Sequence, residues 1–153
     1  IYREYSVDPQ ERAFVGEVMT TDVKVVSSNA TLGEVMSVYF GPDQSHRGFP
    51  VLDEHGVLVG MLDRDTLLHG VRTHGEQARL SALFENRKTN VALSTETCQL
   101  VGRRMAVEHL ERLPVVADQH SMRLVGIVSR SDLLKPAQQT FHEEHVRERL
   151  LRR

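Results

Sequence analysis

The segment Gly126-Ile127-Val128-Ser129-Arg130-Ser131-Asp132 reads as a strand running into a helix, with a hydroxyl and a carboxylate three residues apart at the turn. It has a twin. Val59-Gly60-Met61-Leu62-Asp63-Arg64-Asp65-Thr66-Leu67-Leu68 lines up with Val125-Gly126-Ile127-Val128-Ser129-Arg130-Ser131-Asp132-Leu133-Leu134 at a constant offset of 66. Working outward, Phe49-Pro50-Val51-Leu52 matches Leu113-Pro114-Val115-Val116 at an offset of 64, and Thr31-Leu32 matches Thr97-Cys98 at 66 again. The chain is therefore two copies of one unit. The changes of offset are small insertions, one before Phe49 and one around His120 to Arg123, both in loops, where extra length costs little.

Each copy reads strand, helix, strand, strand, helix. In the first, a β-branched strand over 23–26 leads through Ser27, Ser28 and Asn29 to a helix starting at Thr31, with Leu32, Val35, Met36 and Tyr39 at helical spacing. Gly41-Pro42 should end it. A strand over 49–52, a turn at Asp53-Glu54-His55-Gly56, a strand over 57–62 and a helix from 63–65 to about His69 follow. The second copy repeats the order, with strands over 91–93, 114–116 and 124–128, a helix over 97–109 and a last helix from Ser131. The fold class is thus α+β (α/β), two β-α-β-β-α units packed as a pseudo-two-fold pair. A unit of about 60 residues is marginal alone, so the copies are expected to share a core. The organisation is a linker over 1–14, a first domain over 15–72, a connector and second domain over 73–136, and a charged helical tail over 137–153. In the connector, Leu80, Leu83 and Phe84 should form the lead-in to the second unit, as Val18-Met19 does for the first.

Composition narrows the function. A net charge of -2 with scattered Lys and Arg offers no basic field for a phosphate backbone, so nucleic acid is not the partner. No long apolar run and no targeting segment occurs, which points to a cytoplasmic piece. The single cysteine, Cys98, fits a reducing compartment, and it replaces Leu32 of the first copy, so core packing is its expected role. The start at Ile1 suggests a fragment of a longer protein. His142-Glu143-Glu144-His145 has its histidines three apart, where a zinc-protease helix needs four, and the expected metal site is none. No nucleophile elbow, Walker or dinucleotide glycine pattern is present, and the reading is of a non-enzyme.

With the repeat in place, residues 15–136 resemble a tandem pair of cystathionine-β-synthase (CBS) domains, the regulatory Bateman module. The residues that carry this are the Val18-Met19 lead-in, the Thr31-Leu32 helix start, the hydrophobic-Pro-Val strand of both copies, and the Gly-x-x-Ser-x-x-Asp turn ending at Asp132. Gly48-Phe49-Pro50-Val51, the preceding His46-Arg47 and the tail "PAQQTFHEEHVRERLLRR" further resemble the cytosolic region of bacterial chloride channels and transporters.

The resemblance implies an adenine nucleotide (ATP, ADP or AMP) as regulatory ligand in the cleft between copies, with Asp132 holding both ribose hydroxyls. The chemistry suits the role, because an ionised carboxylate accepts two hydroxyl donors. Ser129 and Arg130 would face the phosphate at the start of the last helix. The same segment has a plainer reading, in which Ser129 or Ser131 caps that helix and Asp132 balances its dipole. By resemblance the pocket is completed by Thr20, Thr21, Asp22 and Val23 of the first lead-in and by His46, Arg47, Phe49 and Pro50, with His46 placed to stack on the base. In the first copy Asp63 replaces Ser129 and Thr66 replaces Asp132, which removes the carboxylate and sets a negative charge where phosphate would come. One competent site per chain is expected. The resemblance also implies a homodimer and fusion to a membrane transport domain. A ligand-free dimerisation module, and a sensor attached to an enzyme or metal-ion efflux protein, are the alternatives.

Overall fold

Two sheets of the same design carry the fold, and the computed structural model describes them over residues 8–40 and 48–136. In order the elements are α1 (Pro9–Arg12), α2 (Val15–Val18), β1 (Val26–Ser27), α3 (Leu32–Tyr39), β2 (Gly48–Leu52), β3 (Leu58–Asp63) and α4 (Arg64–His74). A 3-10 helix (Leu80–Phe84), β4 (Ala92–Leu93), α5 (Cys98–Val107), β5 (Arg112–Val116), β6 (Leu124–Ser129) and a 3-10 turn (Asp132–Leu134) follow. The α+β order expected from the repeat is present in both copies. The charged tail over 137–153 lies outside the described residues. Among the described residues no helix is long and apolar enough to cross a membrane.

The first-copy unit contains the described residues from 22 to 90 together with 120–124. Its sheet has the order β1-β2-β3, with β1 parallel to β2 (Val26↔Val51) and β2 antiparallel to β3 (Gly48↔Asp63). Alternation sets which side chains go inward: Leu58, Gly60 and Leu62 are buried along β3 while Val59 and Met61 are not. The Asp53 carboxylate accepts the His55 amide at 2.8 Å and the Val57 amide at 3.0 Å, and Gly56 supplies the left-handed residue (φ 78°) of that turn. Thr31 caps α3 in a reciprocal box with Glu34. The helix α4 runs to His74, one turn and more beyond the expected His69, because Leu67 and Gly70 bury its inner face against Leu83.

The second-copy unit contains the described residues from 8 to 21, 91–119 and 125–136. Its sheet has the order β4-β5-β6 with β4 parallel to β5. Thr97 caps α5 through the Leu100 amide at 3.2 Å, and Cys98 packs fully buried beside Val101 and Met105, as expected from its replacement of Leu32. The last helix opens as a 3-10 turn (Asp132–Leu134) and is still helical at Lys135 and Pro136, where the described residues end.

Two expectations need correction. The lead-ins are exchanged: Leu80, Leu83 and Phe84 join the cluster of Val26, Leu32, Val51 and Leu62 in the first copy, whereas Val15 and Val18 join Ala92, Val115 and Val128 in the second. Each unit accordingly has a cluster of buried residues of its own. The exchange gives each sheet the apolar cover its own short chain segment lacks. The insertion at 120–123, expected as plain loop, pairs with the first-copy unit through a Val57↔Arg123 bridge and a 2.9 Å bond from the Leu58 amide to the Met122 carbonyl.

Candidate functional site

The turn after β6 is built on a glycine. A Cβ on Gly126 would stand 2.7 Å from both the Met19 sulfur and the Thr20 carbonyl oxygen, so only glycine lets the N-terminal lead-in press against the strand. Thr20 and Ile127 then exchange both backbone bonds, at 2.8 and 2.9 Å, which extends the sheet edge to the exposed residues Thr20 and Thr21. Gly60, the twin of Gly126, does the same for the other lead-in: a Cβ there would be 2.4 Å from the Phe84 ring.

Beyond β6, Ser129 and Asp132 satisfy one another. The Asp132 amide donates to Ser129 Oγ at 3.1 Å, and the Ser129 amide donates to Asp132 Oδ2 at 2.9 Å. This is the reciprocal arrangement of a capping box. Asp132 Oδ1 takes the Lys135 ammonium at 2.8 Å, and the same ammonium donates to the Val18 carbonyl at 3.2 Å. The side chain of Asp132 is 13% exposed. Burial pushes its carboxyl pKa up, but the Lys135 ammonium and the bonds from Ser129 outweigh that and hold it below the usual carboxylate range. The group is therefore an anion at neutral pH, anchored at both oxygens, with one further acceptor position on each.

The residues expected on the phosphate side have partners of their own. The Arg130 amide donates to the Glu111 carbonyl at 3.1 Å and its guanidinium pairs with the Glu111 carboxylate at 3.3 Å, so Arg130 is turned to an acidic neighbour. Ser129 Oγ meets Ser131 Oγ at 2.9 Å and receives the Asp132 amide. Both groups are thus engaged within the turn where the last helix begins. The capping reading of Ser129 is the one observed.

Thr20, Thr21, Ser129, Arg130 and Asp132 belong to one unit, whereas Asp22, Val23, Phe49 and Pro50 belong to the other. Phe49 is 2% exposed, its ring edge-on to Tyr39 and Phe40 at 5.1 and 5.4 Å, and Pro50 is buried in β2. Both side chains are core, and their apolar character is the reason. His46 and Arg47 lie outside the described residues. In the first copy, Asp63 Oδ1 accepts the Thr66 amide at 2.7 Å, so the same cap is made there with a carboxylate at the first position and none at the second.

Two features that matter here, a lysine and an ion pair, are not picked out by the sequence reading. Lys135 is one, and its spacing of three from Asp132 on a helical turn was the available signal. The other is the Glu96–Arg104 pair, in which Arg104 Nη1 donates to Glu96 Oε1 and to the Val91 carbonyl at 2.9 Å each, and Nη2 donates to Glu96 Oε2. It stands where the first copy has Ala30 and Val38, so comparison of the copies hides it.

The model of the CBS domain family matches residues 15–72 and 94–137. The CBS domain-containing protein YhcV of Bacillus subtilis is 35% identical over 122 residues, covering 78% of this chain and 81% of that protein. Among solved structures, the cytosolic domain of the Mg2+ channel MgtE in complex with ATP is 30% identical with a TM-score of 0.65, covering 82% of this chain and about half (49%) of that one. The structure of CBSX2 in complex with AMP has a TM-score of 0.67 at 23% identity, covers 84% of this chain and 98% of its own, and speaks to the fold alone.

Proposed function

The chain belongs to the CBS domain family, and on that footing we propose that it is a regulatory module whose second-copy unit binds an adenine nucleotide, ATP, ADP or AMP, through Asp132. The observation that carries this is the Asp132 carboxylate itself: ionised, 13% exposed, beside the Thr20 edge, and with an acceptor position left on each oxygen. Two acceptors on one rigid carboxylate match a vicinal ribose diol, each charge-assisted bond being worth roughly 1.5–3 kcal/mol. The ATP bound to the MgtE domain supports the choice of ligand. The role is regulatory and not catalytic; ligand affinity that differs between two arrangements of the module biases an attached effector.

Calorimetric titration with ATP, ADP, AMP and S-adenosylmethionine tests the reading. Asp132→Ala should weaken nucleotide binding at least about tenfold, the scale of one lost charge-assisted bond, while Thr66→Ala in the first copy should change little. Equal losses, or no binding by the wild type at millimolar ligand, would overturn it in favour of a ligand-free dimerisation module.

For the effector we favour a membrane transport domain, with the module on its cytoplasmic side. The likeness to the MgtE domain supports transport in general, and Gly48-Phe49-Pro50-Val51 supports the narrower reading of a chloride channel or transporter. The Bacillus relative, matched over 81% of its length, favours a second reading, in which the module acts without a fused transport domain. We place a homodimer contact on the helices, where Leu100 and Val107, seven residues apart on α5, are 50% and 74% exposed. Sedimentation of the purified module distinguishes monomer from dimer.

A further inference from the structure

Resting on the nucleotide reading above, we propose that Lys135 is a specificity residue that makes the site prefer an anionic, phosphate-bearing adenosine ligand over the neutral nucleoside. Its ammonium joins the two walls of the site: it contacts Asp132 Oδ1 at 2.8 Å on the turn after β6 and the Val18 carbonyl at 3.2 Å on the lead-in that continues to Thr20. An ammonium has three N–H donors, and these contacts use two of them. Its side chain is 53% exposed, so the third donor reaches solvent beside the carboxylate.

Charge balance gives this donor its role. A ligand whose diol sits on Asp132 brings its phosphate close to a carboxylate, and like charges in one site repel. The other cation of the turn, Arg130, is already held by Glu111 through both its amide and its guanidinium. Lys135 is the cation that neutralises Asp132 while keeping a donor for an approaching anion, and its flexible stem lets it pivot toward that anion. Neutral adenosine has a diol for Asp132 and nothing for this third donor.

Calorimetry with adenosine and AMP on the wild type, Lys135→Met, Lys135→Arg and Asp132→Asn tests the idea, with the fold of each variant checked by circular dichroism. The wild type should bind AMP at least about tenfold tighter than adenosine, the scale of one charge-assisted bond. In Lys135→Met that preference should collapse to about threefold or less through loss of AMP affinity, and Lys135→Arg should restore most of it. Asp132→Asn should weaken both ligands together. Tighter binding of both ligands by Lys135→Met would overturn the proposal, since Lys135 would then be a competitor for the diol acceptors. An unchanged preference in Lys135→Met, with both ligands weakened in Asp132→Asn, would overturn it while leaving the nucleotide reading intact. Failure of the wild type to bind either ligand would remove both.

Discussion

Removing the Arg104 guanidinium should cost the second-copy unit about 2–3 kcal/mol. Glu96 lies just before the Thr97 cap, with its side chain 14% exposed, and Arg104 reaches back from α5 with its own 33% exposed. Glu96 Oε1 also accepts the Leu93 amide at 2.8 Å, so the pair ties both strand β4 and the residue ahead of it, Val91, to the helix. Arg104→Ala would strip the two guanidinium bonds from a largely buried carboxylate and leave the Val91 carbonyl without that donor. Charged hydrogen bonds contribute about 1.5–3 kcal/mol each, and breaking a fully buried ion pair costs about 3–5 kcal/mol. The partial exposure of Arg104 puts this pair below that upper range.

A double-mutant cycle with Glu96→Gln, Arg104→Met and both together, followed by urea unfolding, reads the pair directly. The coupling energy should be at least about 1.5 kcal/mol, and a domain of this size should melt about 4–8 °C lower per kcal/mol lost. The pH dependence has a definite sign. Burial raises the Glu96 carboxyl, but Arg104 and the Leu93 amide outweigh it and hold the folded value below normal. A carboxyl depressed on folding stabilises above its unfolded pKa, about 4.3 for glutamate, and that contribution disappears as the pH falls through the lower folded value. The gap between wild type and Arg104→Met should therefore be constant from about pH 8 to 5.5 and shrink in acid below the unfolded value. A coupling below about 0.5 kcal/mol at pH 7, or a gap that widens in acid, would refute the assignment.

Gly126→Ala should destabilise the second-copy unit by about 1–3 kcal/mol through overpacking on Met19 and Thr20, measured by urea unfolding, and should weaken nucleotide binding with it. Thr97→Ala and Thr31→Ala should each cost about 1 kcal/mol as lost helix caps, seen as a lower unfolding midpoint with unchanged slope. Cys98 is buried, and burial followed by the nearby Glu17 charge raises its thiol pKa, so thiol reagents should titrate it only on unfolding.

How much of this was legible in the sequence depended on whether a feature repeats. The β-α-β-β-α order, the Thr31 and Thr97 caps and the burial of Cys98 all follow from periodicity and from matching one copy to the other. The exchange of lead-ins was not legible, because Val18-Met19 and Leu83-Phe84 are apolar in the same way and pattern alone does not say which sheet each will cover. The resemblance places Phe49 and Pro50 at the ligand, while the hydrophobic strand itself accounts for a buried phenylalanine flanked by two rings. Arg130 looked like a free cation because Glu111, its partner, lies 19 residues away in sequence.

Comparison of the two turns bears on whether Asp132 is more than a cap. In the first copy the N-cap bond is complete with Asp63 accepting the Thr66 amide, and the third position carries only a hydroxyl. In the second, Ser129 makes the equivalent bond to the Asp132 amide, so the cap is again complete before the Asp132 carboxylate is counted. What that carboxylate adds is the Ser129 amide on one oxygen and the Lys135 ammonium on the other. Those two bonds fix its orientation, offset the cost of keeping a charge largely out of water, and still leave an acceptor position on each oxygen. The Ser129 bond is the second half of a capping box, whereas the Lys135 bond is more than a helix start needs and suits a group that must hold a sugar diol. Asp132→Asn separates the roles: it retains an acceptor for the Ser129 amide and so should cost about 1 kcal/mol or less as a cap, yet it should still lose about tenfold or more in nucleotide affinity. A large loss of stability with unchanged affinity would return Asp132 to the cap alone.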